Sequence, residues 1–223
     1  MAEVLLPLFP LEVVLLPEAP LPLHIFEDRY KRLIRDLLDR EEPRRFGVIA
    51  IRTGRETGVD GVSALHQVGC TATVRDVAPG DDGQYDIVTV GTDRFRLRNL
   101  GDPRPYLTGE VEMLGDPVGD EADAALATSA VQRGFRAYLN MLADRGAATI
   151  SVPDLPDEPV LLSYLVAASM IIELTDRQGL LAQPDAVSRL SAERALLARE
   201  TAMLRELGTT PAPDLRSSPY NPN

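Results

Sequence analysis

The chain carries one lysine, Lys31, one cysteine, Cys70, and two histidines, His24 and His66, so few catalytic arrangements can be assembled from it. A P-loop needs Gly-x-x-x-x-Gly-Lys-Ser/Thr, because backbone amides and the lysine together surround the phosphates. Lys31 instead follows Tyr30 inside an amphipathic segment. A Ser–Lys protease dyad would need the same lysine, and no Gly-x-Ser element accompanies it. A Ser–His–Asp triad would need a histidine. His24 lies among apolar neighbours in Leu21-Pro22-Leu23-His24-Ile25-Phe26, and His66 shares strand parity with Val68, Cys70 and Ala72. Both read as sheet-edge or capping histidines. Cys70 reads as a small buried hydrophobe, because no helix N-terminus or nearby histidine would lower its thiol pKa. Two histidines without cysteines at ligand spacing make no zinc site. The pairs Asp81-Asp82 and Glu41-Glu42 lack EF-hand spacing. The expectation is a non-catalytic chain with no cofactor and no metal.

Composition narrows the partners. Of 223 residues, 44% are hydrophobic and 26% charged, ordinary for a globular protein. The formal charge is 23 − 34 = −11, which opposes phosphate backbones and anionic membrane surfaces. A nucleic-acid partner is therefore not expected. A single cysteine forms no intramolecular disulfide and suits a reducing compartment. The apolar N-terminus lacks a basic region and is interrupted at Pro7, Pro10, Pro17, Pro20 and Pro22, unlike a signal peptide. The longest charge-free apolar stretch, Pro159 to Ile172, falls short of the roughly 18–20 residues that span a bilayer. A cytoplasmic protein with no membrane partner is the expectation.

The elements that would position any site change character along the chain. Val4–Phe9, Val13–Leu16 and Leu21–Phe26 read as short strands bounded by prolines, which suits sheet edges. Asp28 can cap a helix to Asp39 on which Tyr30, Leu33, Ile34, Leu37 and Leu38 form one apolar stripe. Phe46–Ile51 reads as a strand covered on both faces, and Val68–Val74 as a half-buried one. A loop over Arg52–Ser63 joins these two. Asp81-Asp82-Gly83 marks a turn. Tyr85–Val90 and Asp93–Leu97 flank Gly91-Thr92, where glycine permits a type II′ hairpin. Tyr106–Leu114 reads as the last strand.

After a linker-like Gly115–Gly119 the period becomes helical. Leu126, Val131, Phe135, Tyr138, Leu139 and Leu142 share one face of a helix. Val160–Leu174 is apolar nearly all round and central, and Asp176–Leu181 forms a short helix. Asp185–Leu207 sets Leu190, Leu197 and Leu204 at heptad spacing, with Arg189, Glu193, Arg199, Glu200 and Arg205 on the other face. The expected organisation is a β-rich domain over 1–116, a helical bundle over 117–207 and a disordered tail over 208–223.

Three segments carry a family resemblance. Leu6-Pro7-Leu8-Phe9-Pro10-Leu11-Glu12, Val13-Val14-Leu15-Leu16-Pro17 and Leu21-Pro22-Leu23-His24-Ile25-Phe26-Glu27-Asp28-Arg29-Tyr30 resemble the opening of the Lon substrate-binding (N-terminal) domain. Val68-Gly69-Cys70-Thr71-Ala72 is similar to a strand of that family, and Asp86–Leu97 to its hairpin. Asp176-Arg177-Gln178-Gly179-Leu180-Leu181 and the Arg189-Leu190 helix look like its helical extension. The resemblance covers about residues 4–207. It implies an α+β fold: a PUA-like β-barrel with an embedded helix, followed by a C-terminal helical bundle. It also implies a stand-alone substrate-binding module without the ATPase and Ser–Lys protease domains, which binds unfolded or client polypeptide as an adaptor or chaperone-like protein, with a AAA+ protease as a candidate partner.

The proline-rich segment Leu15–Leu23 is the candidate binding surface. Leu16, Pro17, Pro20 and Leu21 would leave an apolar patch at the barrel rim, and unpaired edge groups there would accept a peptide by strand addition. Arg94 and Arg96, with Arg98 and Arg104, form a basic stripe at strand spacing that would attract acidic residues of a client. On this reading, a charge at Leu16 or Leu21 weakens client binding more than removal of Arg94. The same arginines supply the alternative, a PUA-like RNA binder, which lacks interleaved aromatics for base stacking.

Overall fold

The computed structural model describes residues 3–53, 64–101, 105–144 and 154–207. The expected tail, Arg104 and most of the Arg52–Ser63 loop lie outside the described residues. The chain divides into two compact units between Gly115 and Asp116.

Among the described residues of the first unit, seven strands form one sheet and a helix packs on it through Tyr30 and Phe9. The strands are β1 (Glu3–Leu11), β2 (Pro20–Ile25), β3 (Arg45–Thr53), β4 (Ala64–Leu65), β5 (Val68–Pro79), β6 (Tyr85–Leu100) and β7 (Thr108–Leu114); helix α1 (Asp28–Leu38) joins β2 to β3. Pairing runs β1–β7–β6–β5–β3, and β3 returns to pair in parallel with β1. The hydrogen-bonded path thus closes on itself; among the described residues β2 pairs with β6 alone and β4 with β3. Leu6, Leu8, Ile49, Phe95 and Val111 pack inside. Every residue from Phe46 to Ile51 is buried, as its unbroken apolar run predicts. Helix α1 buries Tyr30, Leu33, Ile34 and Leu37. The Tyr30 ring stacks on Phe9 at 3.8 Å, and Phe9 meets Phe46 at 5.7 Å.

Four local readings are corrected. Val13–Leu16 is not a strand: the backbone turns through Glu18 at φ 64° and buries Leu15 and Leu16. Glu27, not Asp28, is the N-cap of α1, and Asp28 instead pairs with Lys31 Nζ at 2.7 Å. Strand β5 is not half-buried along its first six residues, all of which are enclosed. Gly91-Thr92 is no hairpin, because β6 runs unbroken for 16 residues. Glycine serves a different purpose there. A Cβ at Gly91 would lie 2.1 Å from Leu16 O and 3.2 Å from Cys70 Sγ, so the Leu16 backbone lies directly on the strand. Two bonds hold it: Glu18 N–H to Gly91 O and Gly91 N–H to Ala19 O, both 2.9 Å.

Cys70 is fully buried. It is expected to resist thiol reagents under native conditions and to react after urea unfolding; rapid native labelling would contradict this placement.

The second unit is helical: α2 (Glu121–Asp144), α3 (Pro159–Ser169), α4 (Leu174–Leu181) and α5 (Ala186–Leu207). Its core joins Val131, Phe135, Tyr138 and Leu142 to Leu162, Val166, Leu190, Leu197 and Leu204. Helix α3 stops at Ser169, earlier than its apolar run suggests. Leu126 does not join the α2 core face; it is 73% exposed. The largest departure is on α5. Arg189, Glu193 and Glu200, expected on the solvated face, are buried. The reason is spacing: 190, 193, 197, 200 and 204 recur three and four apart, so the glutamates share the inward seam with the leucines. Arg189 is stacked 3.9 Å over Tyr164, donates from Nε to Ser163 Oγ at 2.9 Å and lies 3.5 Å from Asp116. Tyr164 O–H also donates to Asp116. Pro117 and Val118 carbonyls accept from Ala186 and Val187, so residues 116–118 are bonded onto this unit and do not form the linker that composition suggests. Among the described residues no helix is long and apolar enough to cross a membrane.

Candidate polypeptide-binding face

The six residues singled out from sequence do not share an exposed face. Leu16 is 1% exposed and Pro17 is buried. Arg94 is 2% exposed and donates from Nη2 to Gly115 O at 2.8 Å. Arg96 and Leu21 are half-buried; Pro20 is exposed. Arg98 donates to Glu112. The expected arginine stripe is therefore partly interior, with its first member, Arg94, enclosed.

What does reach the surface lies beside the predicted segment. Strand β2 sets Pro20, Pro22 and His24 opposite Val90, Val88 and Asp86 of β6, and Asp76 of β5 lies beyond Val88. Side chains two apart on a strand share one face, so these rows make a continuous surface. Pro20 and Pro22 are exposed, Val88 is 43% exposed and Phe26, just past β2, 37%. His24 Nδ1 bonds Asp86 Oδ1 at 2.7 Å, and the His24 and Phe26 rings lie 6.1 Å apart. The result is an apolar island of Pro20, Pro22, Val88 and Phe26 with a polar pair at its side. Of the residues singled out in the segment Leu16–Leu21, Pro20 alone is exposed, and the other exposed apolar residues lie a few positions away. Proline parity, not proline density, marks what faces outward.

The same parity argues against strand addition. Gly91 directs both its backbone groups at the lead-in to β2, so alternation turns those of Thr89 and Ile87 toward Leu21 and Leu23. Pro20, Pro22 and His24 then direct theirs away from β6. Two of these three positions have no N–H, which leaves the outer edge of β2 poor in donors. A peptide at this strand would be held by side-chain contact with the face.

The chemistry-bearing residues stand apart from this face or are already engaged. Salt-bridged Lys31 holds the Asp28 carboxyl below its usual range, chiefly by hydrogen bonding. Burial lowers His66, with Arg52 adding to the effect. Burial raises the Tyr106 phenol, and its hydrogen bond to Asp36 adds to that. Among the described residues no group of three or more His, Cys, Asp or Glu is placed to hold a metal.

Comparison with known proteins agrees with this architecture. Residues 5–199 match the ATP-dependent protease La (LON) substrate-binding domain. Lon protease 2 of Syntrophobacter fumaroxidans is 25% identical over 86% of this chain and 24% of its own length. Lon protease of Escherichia coli K12 is 24% identical over 90% of this chain and 25% of its own. The chain thus spans about a quarter of these relatives. Among solved structures, a Lon N-terminal domain protein from Xanthomonas campestris superposes with TM-score 0.62 at 28% identity, covering 87% of this chain and 98% of that one. The N-terminal domain of Mycobacterium avium complex Lon protease shares the fold, with TM-score 0.60 at 17% identity, covering 89% and 98%. The match over 5–199 takes in both the β unit and the helical unit, and the chain belongs to the LON substrate-binding domain family.

Proposed function

We propose that this chain is a non-catalytic polypeptide-binding module of the cytoplasm that recognises unfolded or client protein through the apolar island on β2 and β6. The observation that carries the reading is the pairing of family membership with an exposed apolar surface on sheet residues, where side chains are rigidly held. The closed circuit of pairing supports a small PUA-like barrel as the scaffold. The family's description as the substrate-binding domain of an ATP-dependent protease supports an adaptor or chaperone-like role, with a AAA+ protease as a further partner. The RNA-binding alternative rests on arginines of which Arg94 is enclosed and Arg98 is bonded to Glu112, and loses ground accordingly.

The test is suppression of aggregation of a chemically denatured client, without ATP, together with direct titration of a fluorescent apolar peptide. Val88→Asp is expected to weaken peptide binding about tenfold or more, because one hot-spot contact contributes about 1.4 kcal/mol or above. Its melting temperature should stay near wild type, as Val88 is a partly exposed strand residue. Wild-type binding by a normally folded Val88→Asp variant would place the client elsewhere. Arg96→Ala is expected to change binding little.

A further inference from the structure

The helical unit has a groove of about 300 Å³ between α2 and α5. Its floor is Leu190, fully buried, with Val187 and Ala127 half-buried beside it. Its rim is Asp123 and Leu126 from α2 and Ser191 and Arg194 from α5, all exposed. Leu126, at 73%, is the most exposed large hydrophobic residue described, ahead of Leu5 at 66%. Neither the Asp123 carboxylate nor the Arg194 guanidinium has an ion-pair partner among the described residues.

We propose that this groove is a two-fold interface with a second copy of the chain, in which each Leu126 enters the other copy's groove and each Asp123 meets the other's Arg194. The patch contains its own complement: an apolar knob beside an apolar hollow, and an acid beside a base. A two-fold axis exchanges these pairwise, since residue i then contacts j while j contacts i. A different partner would have to present the same knob and the same two charges in matching places; a second copy does so by construction. Charge supports the choice of occupant. At a net charge of −11 most surfaces of two copies repel, whereas the charged residues lining this groove are one acid and one base.

The proposal is independent of the peptide-binding face and is tested on the full chain by sedimentation velocity and light scattering across a concentration series. Wild type should show a monomer–dimer equilibrium below millimolar concentration. Asp123→Arg and Arg194→Asp should each shift the midpoint at least tenfold toward monomer, and the two together in one chain should restore the dimer. Leu126→Glu should give monomer with unchanged helical circular dichroism. A wild-type monomer throughout, a dimer insensitive to both reversals, or a double reversal that fails to restore association would each overturn the interface.

Discussion

Gly91→Ala is expected to destabilise the β unit by roughly 3 kcal/mol or more, although alanine is the smallest side chain that can be introduced. The added Cβ would lie 2.1 Å from Leu16 O and 2.9 Å from Leu16 C, which are backbone atoms with no rotamer to escape into. Relief requires moving the Leu16–Ala19 segment off β6. That movement breaks the Glu18 N–H and Gly91 N–H bonds, worth about 0.5–1.5 kcal/mol each. It also withdraws Leu16, 1% exposed, from the core. A fall in melting temperature of order 10 °C or more should follow for a unit of this size. Were Gly91 the corner of a type II′ turn, alanine would cost about 1–3 kcal/mol of positive-φ strain and break no contact with Leu16. A mild effect would therefore restore the hairpin reading. By the same geometry a charged residue at Leu16 unfolds the unit before it reports on binding, and only exposed positions such as Val88 and Pro22 test the client surface.

Hydrophobic period made much of this fold legible. The stripe on α1, the unbroken run in β3 and the heptad leucines of α5 each fall where apolar spacing puts them, because burial of contiguous apolar surface decides those elements. Backbone contact across long sequence separation was not legible. Gly91 and Leu16 are brought together by sheet pairing, and glycine in a strand looks the same whether it turns the chain or admits a neighbour. Val13–Leu16 has strand composition, yet Pro17 and Pro20 remove donors on either side of Glu18, and the segment packs as a buried turn.

The candidate site shows the same division. The proline-rich stretch includes residues that reach the surface, but which of them face outward depends on register against β6. Arginines at alternate positions on β6 resemble a solvated stripe, and only pairing with β7 and the end of the unit reveals that Arg94 donates inward to Gly115 O. The buried charges of α5 were readable in principle. Glu193 and Glu200 keep the three-and-four spacing of Leu190, Leu197 and Leu204, and a seam that admits acids at alternate layers has that signature.

That seam yields the second large effect: Glu193→Gln should stabilise the helical unit increasingly as pH rises. Glu193 is fully buried, and neither carboxylate oxygen has a hydrogen-bond partner among the described residues. Burial pushes its carboxyl well above the ordinary range, and Arg189, four residues before it, opposes the shift only in part. Arg189 also meets Ser163, Tyr164 and Asp116, so its charge is shared among several groups. The folded chain therefore keeps a proton that the unfolded chain releases at the ordinary glutamate value, about pH 4.3. With more protons bound folded than unfolded, stability falls as pH rises from there until the raised folded pKa is passed. The loss is at most about 1.4 kcal/mol per pH unit in that window. Glutamine has nearly the same shape and nothing to ionise, so it escapes the loss. Urea melts of both proteins should nearly coincide at about pH 4 and separate as pH rises above it, with the variant the more stable. Destabilisation by glutamine at neutral pH would mean that Glu193 is ionised in the fold and held by Arg189, and would reverse the assignment of charges in this core.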